Sequence, residues 1–186
     1  MGSRRGVAVA VAALGVAAAI PATATAEERT CRGSIGAVTV DNLRVPQDAS
    51  CTLNGTGVQG TVKVERNATL NATAIQVIGN VQGENARSVN VSGSRVGGSV
   101  QVKQGGGARV DSTRVAGDIQ YDANRSFLSA ARNIVGGSIQ VFQNRGGVNL
   151  TRNTVDGNLQ CKENQPPPSG GGNVVQGNKE DQCARL

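Results

Sequence analysis

The 186-residue sequence has no histidine and no tryptophan, and only one tyrosine, two phenylalanines and one methionine. Without imidazole, histidine-based metal sites and catalytic triads are excluded. With so few rings, the exposed aromatic platforms on which sugars usually stack are nearly missing. Among the aromatics, Tyr121 falls in an inward-facing position, which leaves Phe142 as the better exposed candidate. There is no Walker motif, no dinucleotide fingerprint and no recurring calcium nonapeptide "GGxGxDxxx"; the short "GGG" stretches read as turns. Nor is there an apolar run of the roughly 20 residues a membrane-spanning helix needs. The longest candidate covers only the fifteen residues from Gly6 to Ile20.

That short run has a clear context. Arg4 and Arg5 precede it, Pro21 follows, and Ala24-Thr25-Ala26 offers a small-residue cleavage site. A basic start, a short apolar stretch and an A-x-A site describe a secretory signal peptide over residues 1–26. The "SRR" at Ser3 resembles a twin-arginine start, but Gly6 stands where a bulkier residue is usual, so ordinary secretion is the expectation. No cysteine lies at the cleavage point, so no lipid or other stable membrane anchor is expected. Cleavage removes two arginines from a net charge of +6. The remaining charge is too small to imply nucleic acid as a partner. Export also makes the four cysteines disulfide candidates.

Beyond the leader the chain repeats itself. "VAGDIQY", "VGGSIQV" and "VDGNLQC" begin at Val115, Val135 and Val155. The third residue of the phrase is Gly60, Gly79, Gly98, Gly117, Gly137, Gly157 and Gly177, first at 19-residue and then at 20-residue steps. Two residues before each glycine stands a valine, from Val58 to Val175, and two after it an aliphatic residue, from Val62 to Leu159, until Lys179 breaks the column. A second apolar pair lies nine and seven residues upstream, as in Cys51/Leu53 and Val89/Val91. Alternation at period 2 marks short strands with one buried face, and a period near 20 residues marks a solenoid. The glycine is expected at a bend, where it tolerates positive φ and leaves room for the adjacent backbone. Four residues before it come Thr56, Ile75, Ser94, Thr113, Asn133, Asn153 and Asn173, mostly small and polar residues whose side chains suit turns and can bond stacked backbone.

The fold expected is therefore an all-β, single-domain parallel β-helix over residues 27–186, with about 19–20 residues per coil. It is expected to be right-handed, as parallel crossovers are. Cys31 and Cys51 are 20 residues apart, and Cys161 and Cys183 are 22 apart, each close to one coil. Strand spacing of ~4.8 Å then favours Cys31–Cys51 and Cys161–Cys183, one staple at each terminal coil.

Over roughly residues 35–180 the coils resemble those of parallel β-helix proteins. The ending "GNLQCKENQPPPSGGGNVVQGNKEDQC" is similar to that of small secreted actinobacterial proteins. The resemblance implies an extracytoplasmic solenoid and no assigned reaction or cofactor. The Val-Gly phrases are also similar to bactofilin-like polymer-forming solenoids, which usually lack a leader and disulfides. Larger β-helix proteins that process acidic polysaccharides use Asp clusters, but Asp118 and Asp122 here flank one strand without being forced to converge.

Three surfaces remain as candidates. Arg95 and Arg114 share one register, and Arg132 and Arg152 another, so four consecutive coils would display a stripe of guanidinium groups. Like charges so stacked call for screening, a nearby Asp118 or Asp156, or a bridging anion. Outward Thr52, Asn54, Asn71, Thr73, Asn90, Ser92, Ser129, Ala131, Asn149 and Thr151 form a flat array of short groups of the kind that binds ice, interrupted by Arg109 and Asp111. Sequons at Asn67, Asn71, Asn90, Asn124 and Asn149 match glycosylation acceptors. These features favour a secreted, non-enzymatic, monomeric interaction protein with an anionic cell-envelope polymer or glycan as partner. The alternatives are a polysaccharide-processing enzyme and a self-associating rod.

Overall fold

The computed structural model describes Gly2 and residues 27–186; the leader reading, apart from Gly2, lies outside the described residues. The chain winds into a parallel β-solenoid of about eight coils whose three faces are three parallel sheets. The first sheet runs from Glu28–Thr30 through Val100–Lys103 and Ile119–Asp122 to Lys179–Asp181. The second runs from Gly33–Ile35 through Ser88–Ser92 to Ser169–Gly171. The third is made of two-residue strands, from Thr39–Val40 through Arg95–Val96 and Arg114–Val115 to Val174–Val175. Each coil visits the first, second and third sheet in that order.

The valine column falls where the alternation places it. Val96 pairs with Val77 on one side and Val115 on the other, and Val115 with Val135. Val115, Val135 and Val155 are fully buried. Their neighbours Ile119, Ile139 and Leu159 and the upstream Leu128 and Leu150 complete one apolar column of core through the rod. Tyr121 is buried with them, its hydroxyl donating to the Ser129 carbonyl at 2.9 Å. Burial pushes its phenol far above the ordinary tyrosine range.

The repeated glycines have a single reason rather than the two expected. None of them has positive φ. From Gly79 onward they stack directly, each N–H donating to the glycine carbonyl one coil earlier, as Gly98 to Gly79 and Gly157 to Gly137, both at 2.9 Å. A Cβ at Gly98 would stand 2.8 Å from that carbonyl oxygen, and one at Gly157 2.7 Å. Close coil-to-coil approach excludes a side chain here, not backbone handedness.

The left-handed residues sit at the other two corners and are mostly not glycine. Between the second and third sheets they are Gly55, Ala74, Gly93, Ser112, Arg132, Arg152 and Gly172. Between the first and second sheets the column includes Asn85, Gln104, Ala123, Gln143 and Glu163, with φ between 52° and 58°. Such a conformation costs a residue with a Cβ about 1 kcal/mol or more. The residue that follows offsets this. Asn133, Asn153 and Asn173 are buried after one corner, Asn124, Asn144 and Asn164 after the other. Asn144 shows the pattern. Its Oδ1 accepts the Asn124 N–H at 2.9 Å and the Asn124 Nδ2 at 3.0 Å, while its own Nδ2 donates to the Tyr121 carbonyl at 3.0 Å and to Asn164 Oδ1 at 3.0 Å. Asn153 repeats it against Asn133, Ala130 and Asn173. The glycine corner has a third ladder, in which Asn80, Ser99, Asp118, Ser138 and Asn158 each accept the N–H of the next coil.

Both disulfides form as the spacing requires, with Cα separations of 5.7 Å for Cys31–Cys51 and 5.3 Å for Cys161–Cys183. The partners do not share a column, however: Cys51 is in register with Gly33. Cys31, just past the first-sheet strand Glu28–Thr30, bridges to Cys51 within the second-sheet strand Ser50–Asn54 of the next coil. Cys161, within the first-sheet strand Leu159–Lys162, bridges to Cys183 just past Lys179–Asp181.

Val115→Asp is expected to remove most of the folding stability, because it puts an unpaired carboxylate in the centre of the core. Arg114→Gln, one residue away and outward, is expected to change it by less than about 0.5 kcal/mol. Denaturant unfolding of the two oxidised variants checks this; equal losses would mean that the inward and outward columns are misassigned.

Candidate functional site

Arg95 and Arg114 lie in the two-residue strands that precede Val96 and Val115, so the inward valines turn both guanidinium groups to solvent. They are direct register partners, one strand spacing apart. Gln76 precedes them in the column and Ile134 follows. The adjoining outward positions are the small, exposed Gly97, Ala116 and Gly136, which leave the arginines standing above a low shelf.

Arg132 and Arg152 are not in that strand column. They occupy the left-handed corner between the second and third sheets, two residues before Ile134 and Thr154. Arg152 lays its stem over Gly172, where an added Cβ would meet Arg152 Cγ at 3.4 Å. Arg132 turns the other way and grips Asp111 of the preceding coil. Its Nη2 donates to Oδ1 at 2.5 Å and to Oδ2 at 2.7 Å, and its Nε donates to Ser112 Oγ at 3.3 Å. Arg109 Nη2 approaches the same carboxylate at 3.4 Å. The Asp111 side chain is only 13% exposed, so it lies half enclosed between two guanidinium groups.

This arrangement revises the stripe expected from sequence. Its compensating carboxylate is Asp111, not Asp118 or Asp156. Asp118 Oδ1 accepts the Ser138 N–H at 2.7 Å within the corner ladder, and Asp156 Oδ1 accepts from Gln176 at 3.1 Å. Among the described residues, the ion pairs involve Arg44, Arg109 and Arg132. Arg95, Arg114 and Arg152 are in none of them. The signal missed in sequence was the offset: Arg132 stands 21 residues after Asp111, one coil plus one position, which brings a corner residue over the end of a neighbouring strand.

Other candidates separate or close on themselves. Asp118 sits in a corner, whereas Asp122 ends its strand between Lys103 and Phe142 of adjacent coils, so the two carboxylates do not converge. On the second sheet the small polar groups bond each other. Asn90 donates to Asn71 at 2.9 Å, Thr73 and Ser92 lie 3.3 Å apart, and Thr151 donates to Asn149 at 2.7 Å. Arg109 and Asp111 cross this face. Asn124, in one of the sequons, is fully buried in its ladder. Phe142 is only half-exposed, whereas Phe127 is the exposed ring.

Set against protein-family models, curated proteins and solved structures, the chain matches none of them. What the coordinates define is a class: a parallel β-solenoid with two disulfides, which fit an oxidising compartment, and with no membrane-crossing helix among the described residues.

Arg132→Gln is expected to destabilise the fold by about 1–2 kcal/mol, because it strips the principal partner from a half-enclosed carboxylate. Arg152→Gln, on the same corner one coil later, is expected to cost less than about 0.5 kcal/mol. The pair Arg132→Gln/Asp111→Asn should recover part of the loss. Urea unfolding of the parent, Arg132→Gln, Asp111→Asn and the double variant checks the cycle, and additive losses would contradict the contact.

Proposed function

We propose that the protein is an exported, non-enzymatic interaction rod whose Arg95, Arg114 and Arg152 bind a linear anionic polymer of the cell envelope. The observation that carries the reading is the stacking of Arg95 on Arg114 in register, with neither in an ion pair among the described residues. At 4 Å two like charges repel by about 1 kcal/mol even in bulk water, so an array of this kind is relieved by a ligand that brings negative groups at a similar interval. Arg152 extends the charge along the rod axis on a later coil. The shelf of Gly97, Ala116 and Gly136 leaves space for a polymer backbone beside the guanidinium groups. Arginine suits this role because its planar fork pairs with phosphate or carboxylate through two parallel hydrogen bonds.

Export rests on two features that agree. The leader pattern over residues 1–26 supplies the route, and the disulfide-stapled terminal coils suit an oxidising destination. A rigid solenoid needs no conformational change to present the stripe, so little ordering cost opposes binding. Arg132 is occupied by its contact with Asp111 and takes no part in the array.

Binding to poly(glycerol phosphate) is expected to weaken as salt is raised, because exposed charges are screened within a Debye length. Joint replacement of Arg95, Arg114 and Arg152 by Gln is expected to abolish most of the affinity while leaving the unfolding midpoint unchanged. Isothermal titration at two ionic strengths checks both. Unchanged affinity in the triple variant would reduce the stripe to ordinary solvated surface.

A further inference from the structure

The change from 19- to 20-residue steps has a definite place. Ile119–Asp122 pairs with Val100–Lys103 at the shorter offset, whereas Leu128 pairs with Ala108 at the longer one. The added residue therefore enters at the corner between the first and second sheets. There Ser126 N–H still reaches the Gly106 carbonyl at 3.4 Å, and Ala108 N–H reaches the Phe127 carbonyl at 3.3 Å. Phe127 precedes the inward Leu128, so alternation turns it outward; it is 60% exposed, with its ring edge at Gly147, where an added Cβ would meet Cδ2 at 3.7 Å. The next two coils keep the longer corner. Phe127, Gly147 and Pro167 consequently form one column, and Arg125, Arg145 and Gln165 the column beside it.

The Arg125, Arg145 and Gln165 column lines a concavity of about 680 Å³ together with Gln143, Glu163 and Pro167; Phe127 is not in its lining but stands on the surface two residues beyond Arg125. The groups of the concavity are held in place from both sides. Beneath it runs the buried ladder of Asn124, Asn144 and Asn164, closed at the far end by Gln182 Oε1, which accepts from Asn164 Nδ2 at 3.0 Å. On the surface, Arg145 Nη1 donates to Gln165 Oε1 at 3.1 Å, and Gln143 Nε2 donates to Glu163 Oε2 at 2.9 Å. Arg125 and Arg145 are in no ion pair among the described residues.

We infer that this corner is a binding site for an anionic saccharide, separate from the Arg95–Arg114 face. Three features select that ligand over a bare polyanion. An exposed ring offers an apolar face for a pyranose. Two guanidinium groups a coil apart, at ~4.8 Å, suit acidic substituents on successive sugars. Glu163 would repel a continuous run of phosphates, but its oxygens accept hydrogen bonds from sugar hydroxyls, which the amides of Gln143 and Gln165 can also satisfy. The columns already stand in register, so a bound chain running along the rod meets sites that need no rearrangement.

The test is isothermal titration with a β-1,4-linked glucuronate tetrasaccharide and with its carboxyl-reduced counterpart. The acidic form is expected to bind, and the reduced form to bind at least tenfold more weakly. Arg125→Gln/Arg145→Gln and Phe127→Ala are each expected to lower affinity for the acidic form about tenfold, with Phe127→Tyr retaining it. All three positions are exposed, so the unfolding midpoints are expected to match the parent protein. The Arg95/Arg114/Arg152→Gln variant is expected to bind the tetrasaccharide as the parent does, which keeps the fate of this site separate from that of the stripe. Absence of binding, or Phe127→Ala binding as tightly as the parent, would overturn the assignment. So would oligo(glycerol phosphate) binding as tightly as glucuronate to the stripe variant, since that would mark a simple anion site.

Discussion

Coil-to-coil hydrogen bonding at the corners is the constraint on which everything else in this molecule depends. The strands are two to five residues long, so much of each coil lies in corners where no ladder bond is automatic. A buried N–H or carbonyl left without a partner costs about 1–3 kcal/mol, and the corners contain such groups in every coil. Along much of the rod the sequence meets this demand with one side chain per corner, while earlier corners with Ala68 and Ala86 use backbone bonds such as Arg87 N–H to the Ala68 carbonyl. Asn is the most complete solution, because one amide accepts from the N–H and the side chain of the coil before and donates to a carbonyl and to the coil after. Thr113 and Ser94 fill the same position earlier in the chain with a hydroxyl. From Ser94 onward the ladder beside the third sheet links neighbouring coils without a gap, so the exposed arginines above it inherit a fixed spacing.

How much of this was legible follows from how the residues reveal themselves. The core was plain, because Val and Ile recur at period 2 inside a period of about 20, and no helix produces that pattern. The corner residues Thr113, Asn133 and Asn153 were also recognisable as polar groups able to bond stacked backbone. Backbone handedness was not. Positive φ was assigned to the repeated glycines, yet it belongs to Ala74, Ser112, Arg132, Gln143 and Glu163, which share no side-chain chemistry. A column so mixed carries no signal in a single sequence. The glycines were visible because a carbonyl less than 3 Å from a would-be Cβ tolerates nothing else.

The site was legible in outline and misread in its contacts. Register alone placed Arg95 on Arg114. It could not show that Arg132 reaches sideways to Asp111, since that contact joins a corner to a strand end across two coils' numbering. The extra residue was countable from the glycine steps, but its location was not, and with it went the exposed Phe127 and the Arg125/Arg145 column. The two ends show a related economy. Arg29 stands in register with Leu43 and Lys179 with Leu159, so both ends of one core column carry a cation. A second copy stacked in the same register would bring those like charges together.

The asparagine ladders lock successive coils together. Native-state hydrogen exchange reads it residue by residue. The backbone amides of Asn124, Asn133, Asn144 and Asn153, each donated to the next coil's Asn Oδ1, are predicted to exchange only through global unfolding, as slowly as the core amides of Val115 and Val135. Exchange of those four amides at the rate of exposed corner amides, while the valines remain protected, would contradict the account.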